Sequence, residues 1–273
     1  MLFGAWGVAA RLIHIPSPVL IFIMTGSAAA VLLPFNIKSL KGLLKDYHAL
    51  LVSLNLALDL VLLTEAYRRV NLAIAVSIHY IGPVIAVLIA PWILRERFHS
   101  KFLAFMFIAL IGGWFLSGPS LAGKADEIGL LLALGSAVTL AGNIVLQRRY
   151  MRRDGSNPIE AVFKYNVFLT GFMFVPAVIT GIKFPSLTAV RVSESVVSGI
   201  LIQGIAMLLF NYAAKSLTVK ALGIISYTEI FWASIFGLII FSQLLTFLQI
   251  FGMVLIIMAS ILSNLSLDEN YAK

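Results

Sequence analysis

The chain has 273 residues, 60% hydrophobic and only 12% charged, with a mean hydropathy of +1.00. A soluble domain of this size is nearer half apolar and a quarter charged, so the balance marks a polytopic helical membrane protein. The net charge of +8 does not point to nucleic acid, because the basic residues sit in short clusters between apolar runs; with no cysteine, disulfides and thiol catalysis are excluded.

A β-barrel would need alternating segments of about ten residues, and the apolar runs here are about twice that length. The first run, residues 2–13, covers only about 18 Å at helical rise, too short to cross a bilayer. It also lacks a basic leading region, so no cleavable leader is expected. Run two is 19–34, followed by a basic loop with Lys38, Lys41 and Lys45. Run three, 48–66, contains Asn55 and Asp59. Run four, 71–93, is framed by Arg68 and Arg69 before it and Arg95, Glu96 and Arg97 after it. Its middle reads Ser77-Ile-His79-Tyr80-Ile-Gly82-Pro83, polar where lipid would demand leucine. Pro83 and Pro91 should bend it. Run five is 101–116.

The second half repeats the rhythm with runs at 128–147, 158–182, 196–214, 222–241 and 247–262. Tyr80 falls on Tyr227, and Gly82 on Glu229, at a constant offset of 147. The sequence therefore predicts an all-α polytopic membrane protein with ten transmembrane segments as two inverted five-helix repeats, the first segment shortened. The expected divisions are 1–121 for the first repeat, 122–127 for a linker, 128–265 for the second repeat and 266–273 for a polar tail. With both termini cytoplasmic, Lys38, Lys41, Lys45, Arg95, Arg97, Lys101, Arg148, Arg149, Arg152, Arg153, Lys215, Lys220 and Lys273 share that side and outnumber Arg11, Arg68, Arg69, Lys124, Lys183 and Arg191. The positive-inside rule favours this orientation, in a prokaryotic inner membrane.

Several short patterns resemble the drug/metabolite transporter superfamily, and within it the EamA-type branch. Leu2-Phe-Gly-Ala-Trp6-Gly-Val is similar to the end of that family's first helix, and Ser17-Pro18 and Asn157-Pro158 to its paired starts of helices two and seven. Ala66-Tyr67 and Tyr212-Ala-Ala214 look like its small-aromatic exits. Ile81-Gly-Pro-Val84 and Thr228-Glu-Ile-Phe231 resemble its Glu-Pro centre, with Gly82 in place of the first Glu and Ile230 in place of the second Pro. Leu94-Arg-Glu96-Arg resembles its Gly-Glu-Arg exit. The resemblance implies a carrier of small organic solutes, commonly an exporter, with a central cavity built from segments one to four and six to nine.

An ionisable group inside a bilayer costs at least a few kcal/mol and calls for a reason. Asp59 and Glu229 could carry protons or bind a cationic solute; the plain alternative is a neutral acid bonded to a neighbouring helix. Tyr80 and Tyr227 could sandwich a solute between their rings, or could simply pack with one hydroxyl bond. His79 could titrate or sit neutral against a carbonyl. Lys164 lies about 9 Å inside its helix, where it could snorkel to the surface or meet a substrate carboxylate or Glu229. Tyr165 lies beside it. Trp6, Asn143, Gln147, Gln203 and Asn211 could line a pathway or bind helices together. Substrate binding is thus expected to involve Trp6, Asp59, His79, Tyr80, Asn143, Lys164, Tyr165, Asn211, Tyr227 and Glu229.

No phosphate loop, zinc-protease helix or serine elbow is present, so no enzyme, cofactor or metal is expected. The expected partners are a small-molecule substrate and membrane lipids, with no nucleic acid and room for a homodimer. The leading function is secondary transport of amino acids or related amphipathic solutes by alternating access, with proton coupling open. An integral-membrane enzyme acting on a lipid-linked substrate, or a sugar-phosphate or nucleotide-sugar exchanger, is the alternative.

Overall fold

The computed structural model describes residues 2–6, 9, 12–13, 15–70, 72–96, 100–117, 126–182, 187–241 and 246–271. All regular structure among them is helical. A 3-10 turn at Leu2–Ala5 is followed by α1 (Ser17–Asn36), a 3-10 stretch (Ile37–Lys45), α2 (Tyr47–Arg69), α3 (Leu72–His79), α4 (Gly82–Leu94) and α5 (Ser100–Ser117). Then come α6 (Glu127–Met151), α7 (Pro158–Ile182), α8 (Ala189–Ser216), α9 (Val219–Phe241) and α10 (Phe247–Tyr271). Within α8 the stretch Gly199–Ala206 is wound as a π-helix.

The expectation of ten spanning segments in two five-helix repeats is overturned. Among the described residues six helices are long and apolar enough to cross: Ser17–Lys45, Tyr47–Tyr67, Ala75–Leu94, Glu127–Met151, Pro158–Thr180 and Ala189–Ser216. Phe102–Phe115 and Phe247–Ala259 are apolar but shorter. The sequence reading counted every apolar run as a crossing. The expected linker at 122–127 lies mostly outside the described residues. Helix α10 runs on through the polar tail to Tyr271.

The chain forms two compact units. One contains Leu62–Val145 and Leu217–Lys273; the other contains Leu2–Val61 and Leu146–Ser216. In the first, α5 packs along α10, and α9 packs on α4, α5 and α10. Small residues make this possible. A Cβ on Gly112 would sit 2.7 Å from the Gly252 carbonyl oxygen, and one on Gly113 would meet Ile230 Cδ1 at 2.9 Å. Ala66, Ala75 and Ala133 form a fully buried contact where α2, α3 and α6 converge. Two charged caps close this unit's helices. Asp126 Oδ1 accepts the Ile128 N–H at 2.9 Å at the start of α6, and Glu96 Oε2 accepts the Val219 N–H at 3.1 Å at the start of α9. The Arg69 guanidinium beside Asp126 holds that exposed carboxyl below its ordinary range.

In the second unit α1 lies along α7 and against the π-wound part of α8. Gly199 has no room for a side chain, because a Cβ there would run into the Met24 backbone and Ser27 Oγ. Polar bonds bind the same helices: Thr170 Oγ1 donates to Thr25 Oγ1 at 2.9 Å. Without a hydrophobic drive between helices in lipid, such close backbones and interhelical bonds are what hold them together. Outward-facing side chains such as Trp92, Leu131, Val175 and Leu209 stay exposed, as a lipid-facing surface requires.

Gly112→Ala is expected to destabilise the fold by about 1–3 kcal/mol, since the new methyl must push α5 away from α10. Thermal unfolding of the purified protein in detergent measures this. An unchanged midpoint would mean the two helices do not cross there.

Candidate functional site

The polar groups fall into one cluster in the first unit and two in the second. In the first unit the cluster grows from Pro83. Proline has no N–H, so the usual helical bond to the His79 carbonyl cannot form. The next donor, Val84 N–H, bonds to the Ile81 carbonyl at 3.0 Å instead of reaching Tyr80. The Tyr80 carbonyl is thereby released from the helical ladder between α3 and α4. It accepts the Tyr227 hydroxyl of α9 at 2.9 Å. The two tyrosine rings pack on each other, centroids 5.9 Å apart. Both residues are buried, and the Tyr80 hydroxyl in turn bonds the partly buried Glu229 carboxylate.

The His79 ring packs edge-on against that of Tyr80, centroids 5.4 Å apart, and bonds to α6. Its Nδ1 lies 3.0 Å from Ser136 Oγ, whose own hydrogen goes to the Ala133 carbonyl at 2.8 Å. The serine can then only accept, so Nδ1 carries the proton. Gly82 explains its own identity. A Cβ there would stand 2.6 Å from the Ala137 carbonyl and 2.9 Å from Leu140 Cβ, so no side chain fits where the resemblance would place a carboxylate. A cleft of about 320 Å³ opens beside the break, lined by Ser77, Ile78, Ile81, Leu110, Ile111 and Trp114. It is almost wholly apolar. Asn143 is buried in this same unit.

The second unit holds a charged hub at Asp46, the residue just before α2. Its Oδ2 accepts the Tyr150 hydroxyl at 2.7 Å and Lys164 Nζ at 2.9 Å. Its Oδ1 accepts the Ala49 N–H at 3.2 Å and Arg153 Nη1 at 3.4 Å. Burial alone would raise this carboxyl, but the bonds from Tyr150, Lys164 and Ala49 outweigh it and bring it down to about 2. Lys164 also meets Glu160 at 2.7 Å. These residues line a polar cavity of about 150 Å³. Lys164 is thus held by two carboxylates of its own unit. Asp46, Tyr150 and Glu160 were not among the residues read from the sequence. An acid next to Lys45 looks like a solvated loop charge, and only the fold brings α6 and α7 against it.

Deeper in the same unit lies an uncharged group. Asn166 Nδ2 donates to the Val162 and Gln203 carbonyls, both at 2.9 Å. Asn211 Nδ2 donates to Gln147 Oε1 at 3.0 Å and to the Met207 carbonyl at 2.9 Å. Five buried polar atoms, Trp6 Nε1, the Tyr165 hydroxyl, Asn166 Oδ1, Gln203 Oε1 and Asn211 Oδ1, have no hydrogen-bond partner among the described residues. Asn166 was overlooked in the sequence, where one amide in an apolar helix is indistinguishable from helix glue. Asp59 is buried on α2 of this unit. The ten sequence-derived site residues thus divide evenly: His79, Tyr80, Asn143, Tyr227 and Glu229 belong to one unit, and Trp6, Asp59, Lys164, Tyr165 and Asn211 to the other.

Spanning helices, a proline break patched by a side chain and unspent polar atoms inside the helices define a polytopic membrane protein of the carrier class. The chain belongs to the EamA-like transporter family, whose model matches residues 1–118 and 127–265. Two relatives, each described as an uncharacterized transporter, come from Helicobacter pylori. The strain J99 protein is 23% identical and the strain 26695 protein 25% identical, each over 200 residues. Each match spans 71% of this chain and 65% of the relative. A solved crystal structure is similar in fold, with a TM-score of 0.81 at 19% identity, over 97% of this chain and 93% of its own. That family is one of transporters rather than of catalysts.

Two outcomes follow from this geometry. Tyr227→Phe leaves the Tyr80 carbonyl buried and unpaired, and should cost about 1–3 kcal/mol, read as a lower unfolding midpoint in detergent. An unaltered midpoint would remove the hydroxyl from any role in patching the break. Asp46 has a depressed pKa in the folded state, so its contribution is complete above the ordinary carboxyl value of about 4 and is lost as pH falls towards 2. Asp46→Asn should therefore unfold several degrees below the native protein at pH 7, with the gap closing over that acid window. A gap independent of pH would contradict the charged hub.

Proposed function

We propose that this protein is a secondary transporter that moves small amphipathic metabolites, amino acids or close relatives foremost, by alternating access, with export as its direction. The observation that carries the proposal is the break at Tyr80–Ile81 with Glu229 beside it. Interrupted helices near the midplane expose backbone groups that a carrier can remake during its cycle, and a carboxylate at that depth is costly unless it is used. Tyr80 links the two features, since its carbonyl is held by Tyr227 and its hydroxyl by Glu229. On this reading Glu229 takes up and releases the coupling proton. Its loss of charge removes the carboxylate that Tyr80 serves, and so loosens the Tyr80–Tyr227 tie.

Orientation follows from the charged hub. The Ile37–Lys45 stretch, the end of α6 and the start of α7 meet at Asp46, and Lys215 of α8 bonds the Ser156 carbonyl at 2.8 Å. Lys45, Arg149, Arg152, Arg153 and Lys215 therefore gather at one end of this unit. On this reading that end faces the cytoplasm, which the positive-inside rule supports, and the protein sits in the inner membrane. A phosphate-bearing substrate is disfavoured, because Lys164, the basic side chain expected to meet an anion, already has Asp46 and Glu160.

The test is transport in sealed proteoliposomes, with leucine, threonine and lysine as first probes. An imposed pH gradient should drive native protein to accumulate its solute. Glu229→Gln should reduce gradient-driven accumulation by about tenfold or more while solute–solute exchange persists. Equal gradient-driven accumulation by both proteins would rule out Glu229 as the coupling group. Solute turnover without a closed membrane would rule out transport itself.

A further inference from the structure

Most buried polarity in this protein is spent. His79, Ser136, Asp46, Lys164, Thr25 and Thr170 all have bonds to other side chains or to backbone. Among the described residues the exceptions lie in the second unit, on α7, α8 and the N-terminal segment, whose shared seam is where they are found. Tyr165 and Asn166 belong to α7, and Gln203 and Asn211 to α8; the Leu2–Ala5 turn that leads to Trp6 packs on the π-wound stretch, with Phe3 against Phe210 at 6.2 Å.

The backbone of α8 is locally remade at this seam. Met207 N–H bonds to the Ile202 and Gly204 carbonyls rather than to that of Gln203. The Gln203 carbonyl instead accepts Asn166 Nδ2 at 2.9 Å. Single widened turns of this kind recur at functional sites. The bonds also fix which way the amides point. Asn166 Nδ2 faces two carbonyls, and Asn211 Nδ2 faces the Met207 carbonyl and Gln147 Oε1. Turning either amide over would set oxygen against oxygen, so each Oδ1 is held as a buried acceptor. With Gln203 Oε1 this gives three amide oxygens without donors among the described residues, every parent residue at most 4% exposed. None of the three carries a charge.

From this we infer that the seam is the solute-recognition site of the carrier, and that it takes the part of a solute rich in N–H or O–H donors, a primary ammonium or a run of hydroxyls, rather than a carboxylate or phosphate. The three amide oxygens repel an anion, which would have only Trp6 Nε1 and the Tyr165 hydroxyl as unspent donors among the described residues. A primary ammonium has three donors and no acceptor, which complements a set of carbonyl oxygens. The inference rests on the transporter reading but not on Glu229 or on proton coupling.

Gln203→Met tests it, because the substitution nearly keeps the side-chain volume, removes the amide and leaves the backbone carbonyl for Asn166. Competition against radiolabelled leucine is measured on the full chain in nanodiscs. The competitors are leucinamide, N,N,N-trimethyl-leucinamide, 4-methylvalerate and sorbitol, alongside thermal unfolding of the same samples. Leucinamide or sorbitol should compete, which separates the ammonium from the hydroxyl source. The trimethylated and deaminated compounds should not. Gln203→Met should weaken the competing ligand about tenfold, the equivalent of one buried hydrogen bond, with an unfolding midpoint equal to or above native. A lower midpoint with unchanged affinity would make the seam structural and overturn the inference. Competition by 4-methylvalerate alone, or by none of the four, would also overturn it. Vesicle flux of the carboxylate would then leave the carrier reading standing without this site.

Discussion

A bilayer supplies no water to a backbone group that loses its helical partner, and one carbonyl released from the helical ladder at the break between α3 and α4 organises the first unit. Pro83 removes a donor, Val84 turns to Ile81, and Tyr80 is left with a carbonyl that must be met from elsewhere. Tyr227 meets it. This one bond fixes the height of α9 against α4, sets the two rings in contact and brings Glu229 to the Tyr80 hydroxyl. Gly82 is the other half of the arrangement. The same turn that frees the carbonyl brings α4 onto the Ala137 backbone, so the residue beside Pro83 can have no side chain.

Polarity is organised differently in the second unit. A charged group is kept just before α2, where Asp46 collects Tyr150, Lys164 and Arg153 and so ties α6, the turn after it and α7 to the start of α2. On α7 and α8, the amides of Asn166, Gln203 and Asn211 and the hydroxyl of Thr170 are neutral. The separation follows from cost. An ion pair near the interface keeps partial hydration, whereas an amide buried deeper forfeits only the bonds it fails to make. A polar group that must alternate between solute and protein is therefore cheapest when it is uncharged, and the oxygens of Asn166, Gln203 and Asn211 meet that requirement.

Composition was enough to read an all-helical membrane protein, because 60% apolar content leaves no other economical fold, and the short motifs around Ser17-Pro18, Ile81-Gly-Pro and Leu94-Arg-Glu96 were enough to suggest the family. The number of crossings was not legible. Hydropathy marks an apolar helix without fixing how much of it is apolar enough to cross, and among the described residues the apolar stretches Phe102–Phe115 and Phe247–Ala259 fall short. Tyr80 and Tyr227 could be paired from their spacing, yet the bond that joins them depends on a carbonyl freed by Pro83, which no alignment of letters displays. Asp46 was missed for the opposite reason: its partners come from α6 and α7, more than a hundred positions away. Glu96 was read as an exit motif and turns out to cap α9.

The two kinds of buried group also separate two jobs that a carrier must keep apart. Glu229 lies in the unit whose polar bonds are already closed through Tyr80, so a change in its charge acts first on the helix break rather than on a solute. The unspent oxygens lie in the other unit, on helices joined by Thr25–Thr170 and Asn166–Gln203 bonds rather than by proline breaks. With Glu229 as the proposed proton site and the amide oxygens as the proposed solute site, the two lie in separate compact units of the chain. Under that proposal, substitutions at Asn166, Gln203 and Asn211 alter solute choice without touching the Tyr80, Tyr227 and Glu229 group.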